Sequence, residues 1–197
     1  MNRIPAYLRS GFQALIQNPL GETIGTFAFV LACMTILLCG PAAAIYFWMH
    51  SPERPAGPMG MMLTAERFRN TKRMNTLFWI GIIMWAASAL LGWAFHLTGL
   101  AVVLLIQQPL WLAMMIADRY DLTLGVALKT TFVYIVTAPM QALPILLLGL
   151  LGTSGLAIGL IGVLFTMPIA LHAALRLLAD AAQNLELPAA IQRGYSR

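Results

Sequence analysis

The sequence predicts an all-α fold, a polytopic membrane helix bundle of about five transmembrane helices with two helical hairpins. Three stretches of 30, 44 and 46 residues contain no Asp, Glu, Lys or Arg: 23–52, 74–117 and 130–175. A hydrocarbon core about 30 Å thick needs about 20 apolar helical residues, so the shortest stretch can cross once and each longer stretch twice. With 60% hydrophobic and 10% charged residues, the chain is excluded from the soluble class, because it would expose too much apolar surface to water.

The two longer stretches each divide at a short uncharged turn. Residues 96–99 read His-Leu-Thr-Gly and residues 152–155 read Gly-Thr-Ser-Gly. A turn this short makes the helices on either side of it antiparallel neighbours, so each stretch is predicted to form a hairpin. The four spans predicted in this way are 76–95, 100–118, 129–151 and 156–178.

The first charge-free stretch is predicted to form one long helix over residues 23–49, which tilts or bends at Gly40-Pro41. The alternative is a re-entrant loop hinged at the same Gly-Pro pair. Such a loop returns the chain to the side from which it came, and it requires other helices to cover its irregular backbone. The two interpretations place the N-terminus on opposite sides of the membrane.

The segment 1–22 is predicted to be interfacial and to precede a single integral membrane domain, residues 23–197. Its apolar side chains recur at helical spacing, which is typical of a helix lying in the headgroup plane. These side chains are Ile4, Tyr7, Leu8, Phe12, Leu15 and Ile16.

Basic residues indicate the orientation, because loops rich in Lys and Arg stay in the cytoplasm. All ten basic residues after residue 52 fall on one side of the predicted hairpins, and the turns at 96–99 and 152–155 carry none. The C-terminus is therefore predicted to be cytoplasmic, in a bacterial inner membrane. A single crossing by residues 23–49 conflicts with the same rule, since it places Arg3 and Arg9 outside.

A second amphipathic helix is predicted over residues 61–75, after a loop rich in proline and glycine. Its basic side chains are expected to contact anionic lipid headgroups, each contributing about 1 kcal/mol. These side chains are Arg67, Arg69, Lys72 and Arg73.

Four polar side chains inside the predicted spans lie at similar depth: Gln107, Gln108, Gln141 and Thr166. Polar groups in lipid are costly, so one hypothesis is that they line a polar cavity at the midplane, as in a transporter. The other is that they bond across helices and hold the bundle together, while nearby prolines bend the helices. The absence of a carboxylate within the predicted spans favours the structural interpretation.

Glycines on the last predicted helix indicate a packing surface. Gly155, Gly159 and Gly162 are spaced so that they share one face. Small residues let helix backbones approach closely in lipid, so this face is predicted to contact a partner membrane protein or a second copy of the chain.

Residues that could carry chemistry have simpler interpretations. Cys33 and Cys39 are six residues apart, which turns them to different faces of a helix, so they are interpreted as small core residues. His172 has no carboxylate or second histidine near it in the sequence, which favours an interfacial position. Residues 152–155 match in form the Gly-x-Ser-Gly segment of rhomboid proteases, but no later span supplies a histidine, and Ser154 fits a helix cap.

The two predicted hairpins end alike, with Pro109 before Ala117-Asp118 and Pro168 before Ala179-Asp180. The last 100 or so positions resemble uncharacterised bacterial polytopic membrane proteins related to the membrane domain of some glycerophosphodiester phosphodiesterases. The residues that carry the resemblance are Gln108-Pro109 through Asp118, Gly125-Val126-Ala127-Leu128, and Met167-Pro168 through Asp180. The resemblance implies a membrane architecture of helical hairpins. It implies no phosphodiesterase activity, since the catalytic domain is absent from this sequence.

The sequence therefore predicts a non-enzymatic integral membrane protein, an accessory, assembly or scaffold subunit of an inner-membrane complex. The alternative is a small-solute transporter or channel built on the midplane glutamines. The expected partners are the lipid bilayer and another membrane protein, with no nucleic acid, no metal and no cofactor.

Overall fold

The computed structural model describes residues 4–35, 38–52, 66, 69–155, 159–184 and 186–195, with backbone alone at residues 34, 92, 94–104, 160 and 186. The predicted all-helical class is confirmed, because these residues form helices and no strand. The helices are α1 (Ile4–Gln17), α2 (Pro19–Met34), α3 (Cys39–His50), α4 (Thr71–Tyr120), α5 (Leu124–Thr137), α6 (Pro139–Ser154), α7 (Leu160–Gln183) and α8 (Glu186–Tyr195).

Two described helices are long and apolar enough to cross a membrane, Thr71–Leu91 within α4 and Ile161–Gln183 within α7. The bent pair α5 and α6 makes a third candidate if the two helices together form one span. These lengths are those of an integral membrane protein.

The first charge-free stretch is a helical hairpin, so the predicted single helix over residues 23–49 is wrong. The chain breaks after α2 and folds back, with the hydroxyl groups of Thr26 and Tyr46 2.8 Å apart. Phe29 also stacks on Tyr46, with ring centroids 4.4 Å apart. Since α2 is 16 residues long and α3 is 12, each extends only about 18–24 Å and is too short to cross the hydrocarbon core. Gly40 and Pro41 lie inside α3, so the chain reverses before this pair and not at it.

The α4 segment also reverses direction, although its backbone is helical from Thr71 to Tyr120. The Gln107 amide donates a hydrogen bond to the Ser88 hydroxyl at 2.8 Å, and Asn70 donates to Asp121 at 2.7 Å. In a straight helix, 19 residues would separate the first pair by about 28 Å. The two halves of α4 are therefore antiparallel, and the reversal falls between Ser88 and Gln107. Helical bonding continues through residues 96–99, where the sequence predicted a break.

The predicted straight span over residues 129–151 is bent by 116° between α5 and α6. The bend lies at Ala138, whose φ of −130° and ψ of 55° are not helical. Proline restricts the residue before it and supplies no N–H to the preceding turn, so Pro139 accounts for the break. The sequence shows the proline, but it does not predict how large the bend is.

The packing of α6 against α7 depends on small residues. A side chain at Gly155 would come within 2.6 Å of the backbone at Gly162, and one at Gly152 would meet Ala170 at 3.2 Å. Gly159 has a φ of 92° and begins α7, a conformation that favours glycine. The predicted glycine face is thus divided between two helices: Gly155 caps the end of α6, Gly159 precedes α7 and Gly162 lies within α7.

Helix α1 forms as predicted, and it packs against α7. A side chain at Gly11 would come within 2.6 Å of the Ile169 carbonyl oxygen, so the two backbones touch there. The Tyr7 hydroxyl also donates a hydrogen bond to Asp180 near the end of α7. Phe12 and Ile16 remain exposed on the opposite side of α1. The N-terminal helix is therefore attached to the last long helix of the chain.

Candidate functional site

The four polar side chains predicted to share a cavity lie in separate contacts. Gln107 and Ser88 line a cavity of about 200 Å³ between α2, α4, α6 and α7. Most of the lining is apolar, including Phe29, Trp85 and Trp111. Of the four predicted residues, Gln107 is the one that lines this cavity.

The other three side chains bond elsewhere. Gln108 is buried between α4 and α6, where its amide lies 3.5 Å from the Thr153 hydroxyl. Gln141 accepts a hydrogen bond from the Tyr134 hydroxyl at 3.4 Å, across the bend between α5 and α6. Thr166 donates to the Gly152 carbonyl at 2.8 Å and so ties α7 to α6. These contacts are structural, and they do not converge on one solute-sized space.

The basic residues predicted to contact lipid headgroups divide into two groups. Arg69 and Lys72 are exposed, and Arg67 lies outside the described residues. Arg73, by contrast, does not face outward as the predicted headgroup contact requires, because its side chain is only 11% exposed. Its Nε atom lies 3.8 Å from a carboxylate oxygen of Asp118 and 3.8 Å from one of Asp121. We call Asn70, Arg73, Asp118 and Asp121 the Arg73 cluster; it joins the two ends of α4.

A second polar cluster, which the sequence did not predict, consists of Glu22, His50 and His172 and is named here the Glu-His-His cluster. Glu22 lies in the first turn of α2, His50 in the last turn of α3 and His172 within α7. One donor atom from each residue lies within 4.8 Å of the other two. The side chains are 15%, 2% and 16% exposed, so a carboxylate and two imidazoles are enclosed together inside an apolar bundle.

Hydrogen bonds set the arrangement of His50. Its Nδ1 atom lies 2.7 Å from the Tyr46 carbonyl oxygen, and its Nε2 atom lies 2.6 Å from Glu22 Oε2. A carbonyl oxygen only accepts hydrogen bonds, so Nδ1 carries a proton and donates it. The Nε2 atom is then directed at the carboxylate. The imidazole of His50 is therefore oriented by a backbone group on its own helix.

The second histidine approaches the same carboxylate from α7. His172 Nε2 lies 3.5 Å from Glu22 Oε1, and the two imidazole rings meet edge to face with centroids 4.9 Å apart. The Nε2 atom of His172 is buried and has no hydrogen-bond partner. Each carboxylate oxygen of Glu22 thus faces a different histidine, on a different helix.

The charge of Glu22 is stabilised by its neighbours. Glu22 lies outside both candidate spans. Burial by itself would raise the pKa of this carboxyl, but the contacts with His172 and His50 outweigh burial and lower the pKa to about 2. The residue is therefore a carboxylate at neutral pH.

This cluster overturns the interpretation of His172 as an isolated interfacial side chain. A single helix over residues 23–49 would hold His50 far from Glu22, so the prediction did not join these two residues to His172. Glu22 and His50 lie at opposite ends of the first charge-free stretch, so a hairpin brings them together and a single crossing separates them. The sequence feature that could have indicated the site is the presence of a glutamate at one end of this stretch and a histidine at the other.

The two cysteines flank the turn between α2 and α3 and are free thiols. Cys39 is fully buried, as predicted for a core residue, and Cys33 is half-buried beside the cavity. The Trp85 indole N–H donates to the Cys33 carbonyl oxygen at 2.9 Å. This bond attaches the turn of the α2–α3 hairpin to α4.

The comparisons with known proteins add no assignment for these sites. No protein-family model matches the sequence, and neither a curated protein nor a solved structure matches the chain.

Proposed function

We propose that this chain is a non-enzymatic accessory, assembly or scaffold subunit of a bacterial inner-membrane complex, acting through helix contacts. The observation that carries the proposal is the distribution of side chains. Large apolar residues cover the outside of the described helices; they include Trp93, Phe132, Met140 and Ile161, which are 82%, 69%, 70% and 70% exposed. Several polar groups between the helices pair with each other, such as Thr26 with Tyr46 and Gln107 with Ser88. Such a surface suits lipid and neighbouring helices.

Transport is less well supported, because a solute pathway needs polar groups that converge on one water-filled space. Gln108 and Thr166 are bonded at helix contacts, and the cavity beside Gln107 has a mostly apolar lining. A polar cavity at the midplane therefore lacks most of the side chains that the sequence assigned to it.

For the topology, we propose four crossings and one re-entrant hairpin. The crossings are the two halves of α4, the bent pair α5 and α6, and α7. The α2–α3 hairpin enters from the cytoplasmic side and returns to it. This arrangement keeps Arg3, Arg9 and the C-terminal arginines in the cytoplasm, as the distribution of basic residues favours.

The topology is tested with reporter fusions at the N-terminus and at residue 97. We expect a cytoplasmic reporter to be active at the N-terminus and inactive at residue 97. An external N-terminus would contradict the re-entrant hairpin, because a single crossing of the first stretch reverses that end alone.

The scaffold function is tested by gentle solubilisation of native membranes and electrophoresis under native conditions. We expect the chain to migrate in an assembly larger than its own 21.5 kDa, together with at least one other integral protein. Migration as a single copy in several mild detergents would contradict the proposal.

The transport alternative is tested in liposomes with glycerol and urea as small neutral probes. We expect the purified chain to leave the flux of both probes at the value of empty liposomes. A raised flux that Gln107→Leu abolishes would favour transport, and Gln141→Leu is the matched control because Gln141 does not line the cavity. The resemblance to phosphodiesterase membrane domains stays a prediction and does not enter these tests.

A further inference from the structure

We propose that the Glu-His-His cluster binds one divalent transition-metal ion, with Zn²⁺ as the best-fitting ion. The ligands are His50 Nε2, His172 Nε2 and a carboxylate oxygen of Glu22, whose donor atoms lie within 4.8 Å of one another. This site is additional to the scaffold function and does not depend on it.

The hydrogen-bond arrangement calls for a cation between the three residues. Because His50 Nδ1 donates to the Tyr46 carbonyl, a neutral His50 directs the lone pair of Nε2 at a carboxylate oxygen 2.6 Å away. Two lone pairs at that distance repel each other unless a positive charge lies between them. A proton or a metal ion can supply this charge.

A single proton satisfies only half of the cluster. It joins His50 to Glu22 Oε2, but it leaves His172 Nε2 buried and 3.5 Å from Oε1, which is too long for a well-formed hydrogen bond. A buried polar nitrogen whose hydrogen bond is not well formed costs free energy. A divalent ion accepts electron pairs from both imidazoles and from the carboxylate together, so it satisfies all three groups.

The geometry fits the size of the ion. Zn–N and Zn–O bonds of about 2.0–2.2 Å place the ligand atoms of a tetrahedral site about 3.4 Å apart. His50 Nε2 lies 2.6 Å from Oε2, His172 Nε2 lies 3.5 Å from Oε1, and the three ligand atoms lie within 4.8 Å of one another. Side-chain rotations that open the first contact and bring one carboxylate oxygen towards both imidazoles form the site. Water is the natural fourth ligand, since three protein ligands leave one position open.

The types of ligand select the ion. Two imidazoles and one carboxylate favour Zn²⁺ and its neighbours Fe²⁺, Co²⁺ and Ni²⁺. Mg²⁺ and Ca²⁺ prefer sites made of oxygen atoms, and Cu⁺ prefers sulfur. The Tyr46 carbonyl supplies the outer support that metal-bound histidines need, because it fixes the protonated nitrogen of His50 and leaves Nε2 free to bind.

Further hydrogen bonds hold the ligand-bearing helices in place. The Thr26 hydroxyl donates to the Glu22 carbonyl at 2.8 Å and contacts the Tyr46 hydroxyl at 2.8 Å. The first residues of α2 and the last turn of α3 are thus joined before any ion is bound. With His172 as the third ligand, the ion would fasten the α2–α3 hairpin to α7.

The experiment uses the full chain in detergent micelles, purified with a tag that contains no histidine. The protein is stripped with EDTA, equilibrated with Zn²⁺ and analysed for metal by mass spectrometry. We expect one Zn²⁺ per chain, and ligand-field absorption bands of a four-coordinate site when Co²⁺ replaces Zn²⁺.

Variants assign the ligands. Loss of even an outer-shell partner weakens metal binding by about 10–100-fold, so we expect His172→Ala and His50→Ala each to weaken Zn²⁺ binding at least about 100-fold. His96→Ala removes the third histidine of the chain and serves as the matched control. We expect this control to bind Zn²⁺ like the unaltered chain.

Two results would overturn the proposal. One is Zn²⁺ at background level in the unaltered chain, which would leave a protonated His50–Glu22 ion pair as the whole function of the cluster. The other is equal Zn²⁺ affinity in His172→Ala. If the histidine variants do not fold, X-ray absorption on the Zn²⁺-loaded unaltered chain decides instead: two imidazole ligands support the site, and one or none contradicts it.

Discussion

The Arg73 cluster and the Glu-His-His cluster both join the ends of helical segments inside an apolar bundle, but they differ in the origin of their positive charge. Arg73 lies between Asp118 and Asp121, and its guanidinium brings a positive charge into that cluster. Glu22 faces two histidines, whose ring nitrogens can bind either a proton or a metal ion. The first cluster contains its own cation, whereas the second must take up a proton or a metal ion.

This difference indicates what each cluster does. A buried carboxylate that is paired with arginine closes the base of the α4 hairpin under all conditions. A carboxylate that is paired with histidines stabilises the α2–α3 hairpin to an extent that depends on whether a proton or a metal ion is bound. We therefore expect the Arg73 cluster to determine stability and the Glu-His-His cluster to respond to ligands.

The largest effect is expected from Arg73→Met. Removal of one partner from a buried ion pair leaves an uncompensated charge, so the free energy of unfolding should fall by about 3–5 kcal/mol. Unfolding of the detergent-solubilised chain by added SDS, followed by circular dichroism, measures this change. The control is Lys72→Met, on an exposed neighbouring residue, which should change stability by less than about 0.5 kcal/mol. Equal effects of the two substitutions would show that the Arg73 pairs are not formed.

A smaller effect is expected from Glu22→Gln in metal-free protein. The amide can still donate to His50 Nε2, so a charged hydrogen bond becomes a neutral one at a cost of about 1–2 kcal/mol. The same unfolding measurement applies, with and without Zn²⁺. Added Zn²⁺ should stabilise the unaltered chain. It should stabilise Arg73→Met to the same extent and leave the stability of Glu22→Gln unchanged. If Zn²⁺ stabilises both variants, the contrast between the two clusters fails.

Asn70→Ala should destabilise the chain by about 1 kcal/mol, because Asn70 is the N-cap of α4. Its side chain accepts from the Arg73 backbone N–H at 3.2 Å and donates to Asp121 at 2.7 Å. Thermal unfolding followed by fluorescence measures the change. Asn70→Asp keeps the capping acceptor but places a negative charge opposite Asp121. Comparison of the two variants should therefore separate the contribution of the helix cap from that of the hydrogen bond to Asp121. No loss of stability in either variant would contradict this role.

The smallest effect is expected at the hydrogen bond between Thr26 and Tyr46. Tyr46→Phe should reduce the free energy of unfolding by about 1 kcal/mol, because it removes one buried hydrogen bond. A double-mutant cycle with Thr26→Val isolates the coupling between the hydroxyl groups. Strictly additive losses would mean that this contact does not hold α2 to α3.

Some features of this fold follow from the sequence alone. The charge-free stretches predict helices in lipid, and the positions of Asn70 and Asp121 at the two ends of one stretch agree with a hairpin. The prediction for the first stretch failed because a 30-residue length fits one crossing as well as two short helices. Length fixes how far a helix can reach, but not whether the chain turns back.

The site was harder to predict than the fold. Gln107, Gln108 and Gln141 have similar depth in the sequence, but depth does not specify the direction in which a side chain points. Across the bend of 116° at Ala138, Gln141 contacts Tyr134, whereas Gln107 and Gln108 contact Ser88 and Thr153. The Glu-His-His cluster depends on contacts between residues 22, 50 and 172, and such distant pairings leave no periodic signal in one sequence.

The attachment of α1 and His50 to α7 has a consequence for biogenesis. The Tyr7 hydroxyl reaches its partner Asp180 only after 173 further residues have been added to the chain. Until α7 has been synthesised, α1 and the α2–α3 hairpin lack the helix against which they pack. A nascent chain arrested before residue 160 would leave their α7-facing surfaces uncovered.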